Sequence, residues 1–118
     1  MISRRTALTA LAAAAVAPLV PGLASAQSLG AGTFVGASNH ITTGSARIFV
    51  LDGITYVQLG EDFTFDGAPD PKVALGADGY DKDTLLAPLA KNTGSQNYEI
   101  PASIDASAYN EVWIWCEQ

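Results

Sequence analysis

The chain has 118 residues, six of them basic and twelve acidic, for a formal charge of −6, and a single cysteine. That length suffices for one compact domain with a modest core and is too short for two. The acidity disfavours nucleic acid and anionic membrane surfaces as partners, and one cysteine cannot form an internal disulfide framework.

The N-terminus, MISRRTALTALAAAAVAPLVPGLASAQ, has the three ordered regions of an export signal. Arg4 and Arg5 form a basic start, an apolar stretch runs from about Ala7 to Val20, and Ala24-Ser25-Ala26 gives a small-x-small cleavage site before Gln27. Pro18 and Pro21 interrupt the apolar run, which is too weak for a permanent span, so no membrane span is expected after cleavage. The blander readings are an uncleaved anchor or a cytoplasmic amphipathic helix. Ser3-Arg4-Arg5-Thr6-Ala7-Leu8 is similar to a twin-arginine signal, with Ala7 where that signal usually has Phe; a general secretory signal is the alternative. Either route makes the mature chain a periplasmic or secreted bacterial protein. Removal of residues 1–26, a cleavable signal helix, takes two basic residues and no acidic one, leaving 92 residues with a formal charge of −8. Residues 27–31 read as a flexible lead-in and residues 32–118 as the domain.

The domain then runs through short β-type segments punctuated by Gly, Asn, Asp and Pro. GTFVG and NHITTG read as a strand and a strand edge. SARIFVLDGITYVQLG is the clearest element: Asp52-Gly53 between two alternating runs is the strongest short hairpin signal. A two-residue loop pairs Leu51 with Ile54, Phe49 with Tyr56 and Arg47 with Gln58. The other face carries Ala46, Ile48 and Val50 against Thr55, Val57 and Leu59, and is expected to be core. In DFTF, Phe63 and Phe65 point inward. PDPKVALG starts extended because of its prolines and continues as a strand. ADGYDKD is a polar loop. TLLAPLAKNTG is strand or one helical turn, with Pro88 against a long helix. SQNYEIP is a strand ending at Pro101, SIDASAYN a single turn, and EVWIWC the last strand. About 7–8 short strands and no long helix predict an all-β fold, a small antiparallel sandwich or barrel.

Alternation on the last strand puts Val112, Ile114 and Cys116 on one face and Trp113 and Trp115 on the other. The bland reading of Cys116 is a small buried hydrophobe, its thiol inert in apolar surroundings. The sharper reading is a redox thiol or a cofactor ligand. A reactive thiolate wants a nearby cation or helix N-terminus, whereas Cys116 has Glu111 and Glu117 as near neighbours, which oppose ionisation. Alone it cannot make the internal disulfide of dithiol chemistry, so it would work through sulfenic acid, a mixed disulfide or a bound metal. His40, the one histidine, lies in the polar GASNHITTG; its bland reading is a solvated loop residue. A Cys116–His40 pair is a donor set for copper or haem iron, although no Cys-x-x-Cys-His motif for covalent haem is present. Asp62, Asp66 and Asp70 recur every four residues, but Gly67, Pro69 and Pro71 rule out a helix, so they read as a solvated loop. Asp78, Asp81 and Asp83 lack the pattern of an EF-hand, and calcium there is a weak expectation. Tyr56, Tyr80, Tyr98, Tyr109, Trp113 and Trp115 are core or the lining of a groove. No hydrolase triad or phosphate-cradling loop is present, and a stand-alone enzyme is not expected.

GTFVGASNHITTGSARI, EDFTFDGAPDPKVALG, NTGSQNYEIP and YNEVWIWC, in that order and spacing, resemble the DM13 domain. The most specific pieces are Pro69-Asp70, Gly94-x-Gln96-x-Tyr98-x-Ile100-Pro101 and Ile114-Trp115-Cys116, and the likeness covers roughly Gly30 to Cys116. It implies a small β-rich exported module in which Cys116 matches the family's cysteine and takes part in redox or electron transfer, with His40 matching a histidine of the family pattern. The family normally continues past this cysteine with another strand, whereas this sequence ends at Gln118; either that strand is dispensable or the sheet has an open edge beside Cys116. Two functions follow. The first is electron transfer centred on Cys116, with a redox protein as partner and a metal or haem as conceivable cofactors. The second is a non-catalytic module that binds a protein, glycan or other cell-envelope component, or a second copy of itself, through the open edge or the aromatic face.

Overall fold

The structure, a computed structural model, describes residues 26–116. Arg4, Arg5 and Ala24 of the export signal lie outside them; Ala26 is the first described residue and is exposed. Nine strands follow: β1 (Gln27–Thr33), β2 (Thr42–Thr43), β3 (Ser45–Leu51), β4 (Ile54–Leu59), β5 (Thr64–Phe65), β6 (Pro71–Gly76), β7 (Ala87–Pro88), β8 (Gln96–Ile100) and β9 (Glu111–Cys116). Single 3-10 turns cover Lys82–Thr84 and Ala106–Ala108, and no α-helix occurs among the described residues. The strands form three antiparallel sheets with orders β1-β3-β4-β8, β2-β5 and β7-β6-β9. The domain is all-β, with nine strands rather than 7–8.

The hairpin has the expected register, Leu51 opposite Ile54, Phe49 opposite Tyr56 and Arg47 opposite Gln58. Asp52 and Gly53 both take positive φ, at 54° and 80°, as a two-residue turn that follows the strand twist requires. On the inner face Ala46, Ile48, Val57 and Leu59 are buried, while Val50 and Thr55, near the turn, are only half-buried. The outer face is better covered than its composition suggests. Phe49 is buried because Tyr56 stacks on it with ring centroids 5.3 Å apart and the Arg47 guanidinium lies 4.5 Å from its centroid.

Residues 27–31, expected as a lead-in, belong instead to β1 and pair along β3 from Gln27 opposite Val50 to Thr33 opposite Ser45, with an irregularity between Ser28 and Gly30. Their small and polar side chains give no alternating signal. The strand forms because the free edge of β3 offers a ladder of backbone partners.

The four-stranded and three-stranded sheets share one apolar cluster, which is the packing of a sandwich. Leu59, Val57, Phe63, Val73, Leu75 and Val112 at its centre have no exposed surface. Phe63 and Phe65 point inward as expected, and Phe34 meets Phe63 edge-on at 5.5 Å. Of strand and helical turn, the segment around Pro88 takes the strand: Ala87 and Pro88 pair with Val73 and Lys72 of β6, and the flanking Leu86 and Leu89 N–H groups donate to the Val73 and Pro71 carbonyls.

Candidate functional site

The order β7-β6-β9 leaves β9 at the edge of its sheet. Register with β6 places Val112, Ile114 and Cys116 opposite Leu75, Val73 and Pro71, facing the core, and Trp113 and Trp115 opposite Ala74 and Lys72 on the other face. A cleft of about 400 Å³ lies between residues 113–116 of β9 and the 35–42 segment, floored by Phe65. His40 and Cys116 both line it, with Trp113, Ile114 and Trp115. The fold thus brings together the two residues that the sequence singled out, and the volume falls in the range of small-ligand sites.

Cys116 is a free, half-buried thiol. Burial raises its pKa, and the carboxylates of Asp66 and Asp70 raise it further. Of the two sequence neighbours expected to oppose ionisation, only Glu111 is among the described residues. Glu111 turns to the other face, where it accepts from Gly79 N–H and Trp113 Nε1–H, and Glu117 lies outside the described residues. Asp70 stands next to Pro71, the register partner of Cys116. The nearby cation, Lys72, sits opposite Trp115 and is engaged by Asp70 at 3.2 Å.

His40 is carried by a tight turn. Its N–H donates to the Ala37 carbonyl at 3.0 Å, and Ser38 and Asn39 both take positive φ, 56° and 67°. Left-handed backbone at serine is uncommon and is held here by the surrounding ties. Gly36 is required by close approach, since a Cβ there would lie 2.4 Å from the His40 carbonyl oxygen. The imidazole tilts over Phe65 with centroids 5.7 Å apart, and its Nδ1 lies 3.1 Å from Asp66 Oδ1. Asp66 Oδ2 accepts the Ile41 N–H at 3.0 Å, and the Asp66 N–H donates to the Ile41 carbonyl at 3.1 Å. The Ile41 N–H, with a smaller contribution from His40, holds the Asp66 carboxyl below its ordinary pKa.

A family model described as electron transfer DM13 matches residues 33–118. The chain belongs to the DM13 family. No curated protein and no solved structure matches it.

Cys116 and His40 give this DM13 cleft two donor side chains. Among the described residues no group of three or more His, Cys, Asp or Glu side chains is placed to hold a metal ion, and zinc sites use three or four protein ligands. The DGYDKD loop likewise assembles no calcium cage. Asp81 caps the first 3-10 turn through the Asp83 N–H and accepts the Tyr109 hydroxyl at 2.9 Å.

Asp62, Asp66 and Asp70 are exposed, as a solvated loop predicts, and Asp62 and Asp66 also tie chain segments together. Asp62 accepts the Ser45 N–H at 3.0 Å and its hydroxyl at 2.8 Å, and both lower the carboxyl's pKa. Asp66 was missed as part of the site because its partners, His40 and Ile41, are far away in the chain; the four-residue spacing of the acids carries no sign of them. The six aromatics do not form one groove. Tyr80 stacks on Trp115 at 3.8 Å with Trp113 edge-on to Trp115 at 6.1 Å, whereas Tyr56 covers Phe49. Tyr98 donates to Gln96 and accepts the Ala90 N–H, and burial raises its pKa. Gly76 makes room for the Trp113 indole, since a Cβ there would lie 2.5 Å from its Nε1.

Proposed function

We propose that this DM13 domain is an exported electron-transfer module whose redox centre is the β9 cleft, with Cys116 as the redox thiol or ligand and His40 as its second ligand or activator. The family assignment supports electron transfer in general. The observation that carries the finer reading is the convergence of Cys116 and His40 on one cleft. The cleft has what a gated thiol centre needs. The imidazole supplies a lone pair, and burial, with the carboxylates of Asp66 and Asp70, raises the thiol's pKa. A positive group entering the cleft would offset those carboxylates and favour the thiolate. The arginine pair, apolar stretch and Ala24-Ser25-Ala26 support a periplasmic or secreted location, with Ala26 as the last residue removed.

The test is a redox titration of the full chain purified from its native host, beside Cys116→Ser and His40→Ala. The reading predicts a reversible redox transition that Cys116→Ser abolishes and His40→Ala shifts. A transition unchanged by Cys116→Ser sinks it. A second reading, a binding module for a cell-envelope component, is favoured by the open edge of β9 and by Val35 and Ile41, which are 50% and 64% exposed on the adjoining segment. It predicts binding that survives Cys116→Ser and is lost when Ile114→Pro disrupts the edge.

A further inference from the structure

Behind His40, one of the residues that line the cleft, one side chain has two separate jobs to do with its two oxygens. Asp66 Oδ2 accepts the Ile41 N–H at 3.0 Å, and because a backbone N–H only donates, the atom in that position must be an acceptor. Asp66 Oδ1 faces His40 Nδ1 at 3.1 Å. An ionised carboxylate only accepts, so the proton of this bond belongs to Nδ1. The carboxyl's lowered pKa, caused first by the Ile41 N–H, keeps it ionised at neutral pH. The Asp66 N–H to Ile41 carbonyl bond ties the two backbones together at the same point.

We infer that Asp66 is a positioning residue that holds His40 as its Nδ1–H tautomer, so that Nε2 is the lone-pair nitrogen available beside Cys116. The inference rests on the reading of the cleft as the redox centre for its functional meaning, but not for its geometry. A second ring nitrogen fixed by a carboxylate is the usual way in which a protein sets the direction and basicity of an imidazole that acts as a base or a ligand. Here it makes Nε2 the lone-pair atom that the imidazole offers to a proton donor or an electron-poor group entering the cleft.

The geometry makes an unusual demand of Asp66→Asn. The amide has one oxygen and one NH2, and the Ile41 N–H claims the oxygen. The NH2 then faces His40 Nδ1 and donates to it, so the imidazole must carry its proton on Nε2 instead. The substitution is nearly isosteric and keeps the backbone tie, so it inverts the tautomer without removing the loop.

The experiment is 15N-edited NMR of the imidazole in the full chain at about pH 8, above the ~6.5 of an unperturbed histidine. The wild-type protein is expected to show protonated Nδ1 and unprotonated Nε2, and Asp66→Asn the reverse, with the Ile41 amide shift little changed. Asp66→Glu, a longer carboxylate, is expected to restore the Nδ1–H form at least in part. A wild-type ring protonated at Nε2, or a ring unchanged in Asp66→Asn, overturns the assignment. If Asp66→Asn fails to fold, the wild-type spectrum alone decides it. Failure of the redox reading looks different: the tautomer inverts as expected while the redox transition ignores Cys116→Ser.

Discussion

In the β3–β4 hairpin each side chain meets a residue a few positions away, across a two-residue turn, and the inner face closes on fully buried Val57 and Leu59. In and around the cleft beside β9 the interactions that matter join residues far apart in the chain: Asp66 to His40 and Ile41, the charges of Asp66 and Asp70 to Cys116, and His40 to the same hollow as Trp113. The hairpin is held by apolar burial, which is strong and indifferent to pH. The cleft is held by exposed and half-exposed polar ties, which are individually weak but fix direction. The contrast separates the part of the molecule that supplies stability from the part that can bind and react.

That separation can be broken by mutation. Leu59→Ala removes a fully buried hairpin side chain and is expected to cost about 2–5 kcal/mol in urea unfolding, while leaving the Cys116 labelling rate unchanged wherever the protein is still folded. A loss comparable to that of a surface substitution would mean that the hairpin is not the stable half. Next in size is Glu111→Ala on the tryptophan face of β9. It strips the acceptor from the Gly79 N–H and Trp113 Nε1–H, at about 1–3 kcal/mol for each donor left buried without a partner. Glu111→Gln keeps the accepting oxygen and should lose much less; equal losses for the two variants would deny the hydrogen bonds their role. Cys116→Ser is expected to cost about 1 kcal/mol, because the thiol is half-buried and no staple is lost. A loss as large as that of Leu59→Ala would make Cys116 a core residue and erase the contrast.

The smallest effect is on acid. Asp62, Asp66, Asp81 and Asp105 are each held below the ordinary value of 3.8, the first three mainly by a backbone N–H and Asp105 mainly by the Ser107 hydroxyl. A carboxyl whose pKa is lowered on folding favours the folded form fully above its unfolded value, and that contribution fades as pH falls through the lowered one. Unfolding free energy should therefore decline below about pH 4, and the Ile41 amide signal should report loosening of the cleft segment in the same range. A flat acid limb, or a decline above pH 5, would contradict these ties.

The hairpin was legible in the sequence because its information is local: alternation, Asp52-Gly53 and a register set by turn length. The inward Phe63 and Phe65, the strand ending at Pro101 and the two faces of β9 were legible for the same reason. Residues 27–31 were not, since a strand of small polar residues owes its existence to the free edge of β3 rather than to its own pattern. For the site, residue type sufficed to single out Cys116 and His40, which alternation and composition could not join. Glu111, read as a charge opposing the thiol, alternates away from it in the strand, while Asp66 and Asp70 arrive through β5 and β6.

The most direct measurement is the alkylation rate of Cys116 against pH in the native full chain, read by intact mass. An open cleft with the thiol opposed by Asp66 and Asp70 predicts labelling without unfolding, with a midpoint above the ~8.5 of a free thiol that falls in Asp70→Asn. Labelling only after denaturation would close the cleft to chemistry, and a midpoint well below the free value would contradict the electrostatics described for it.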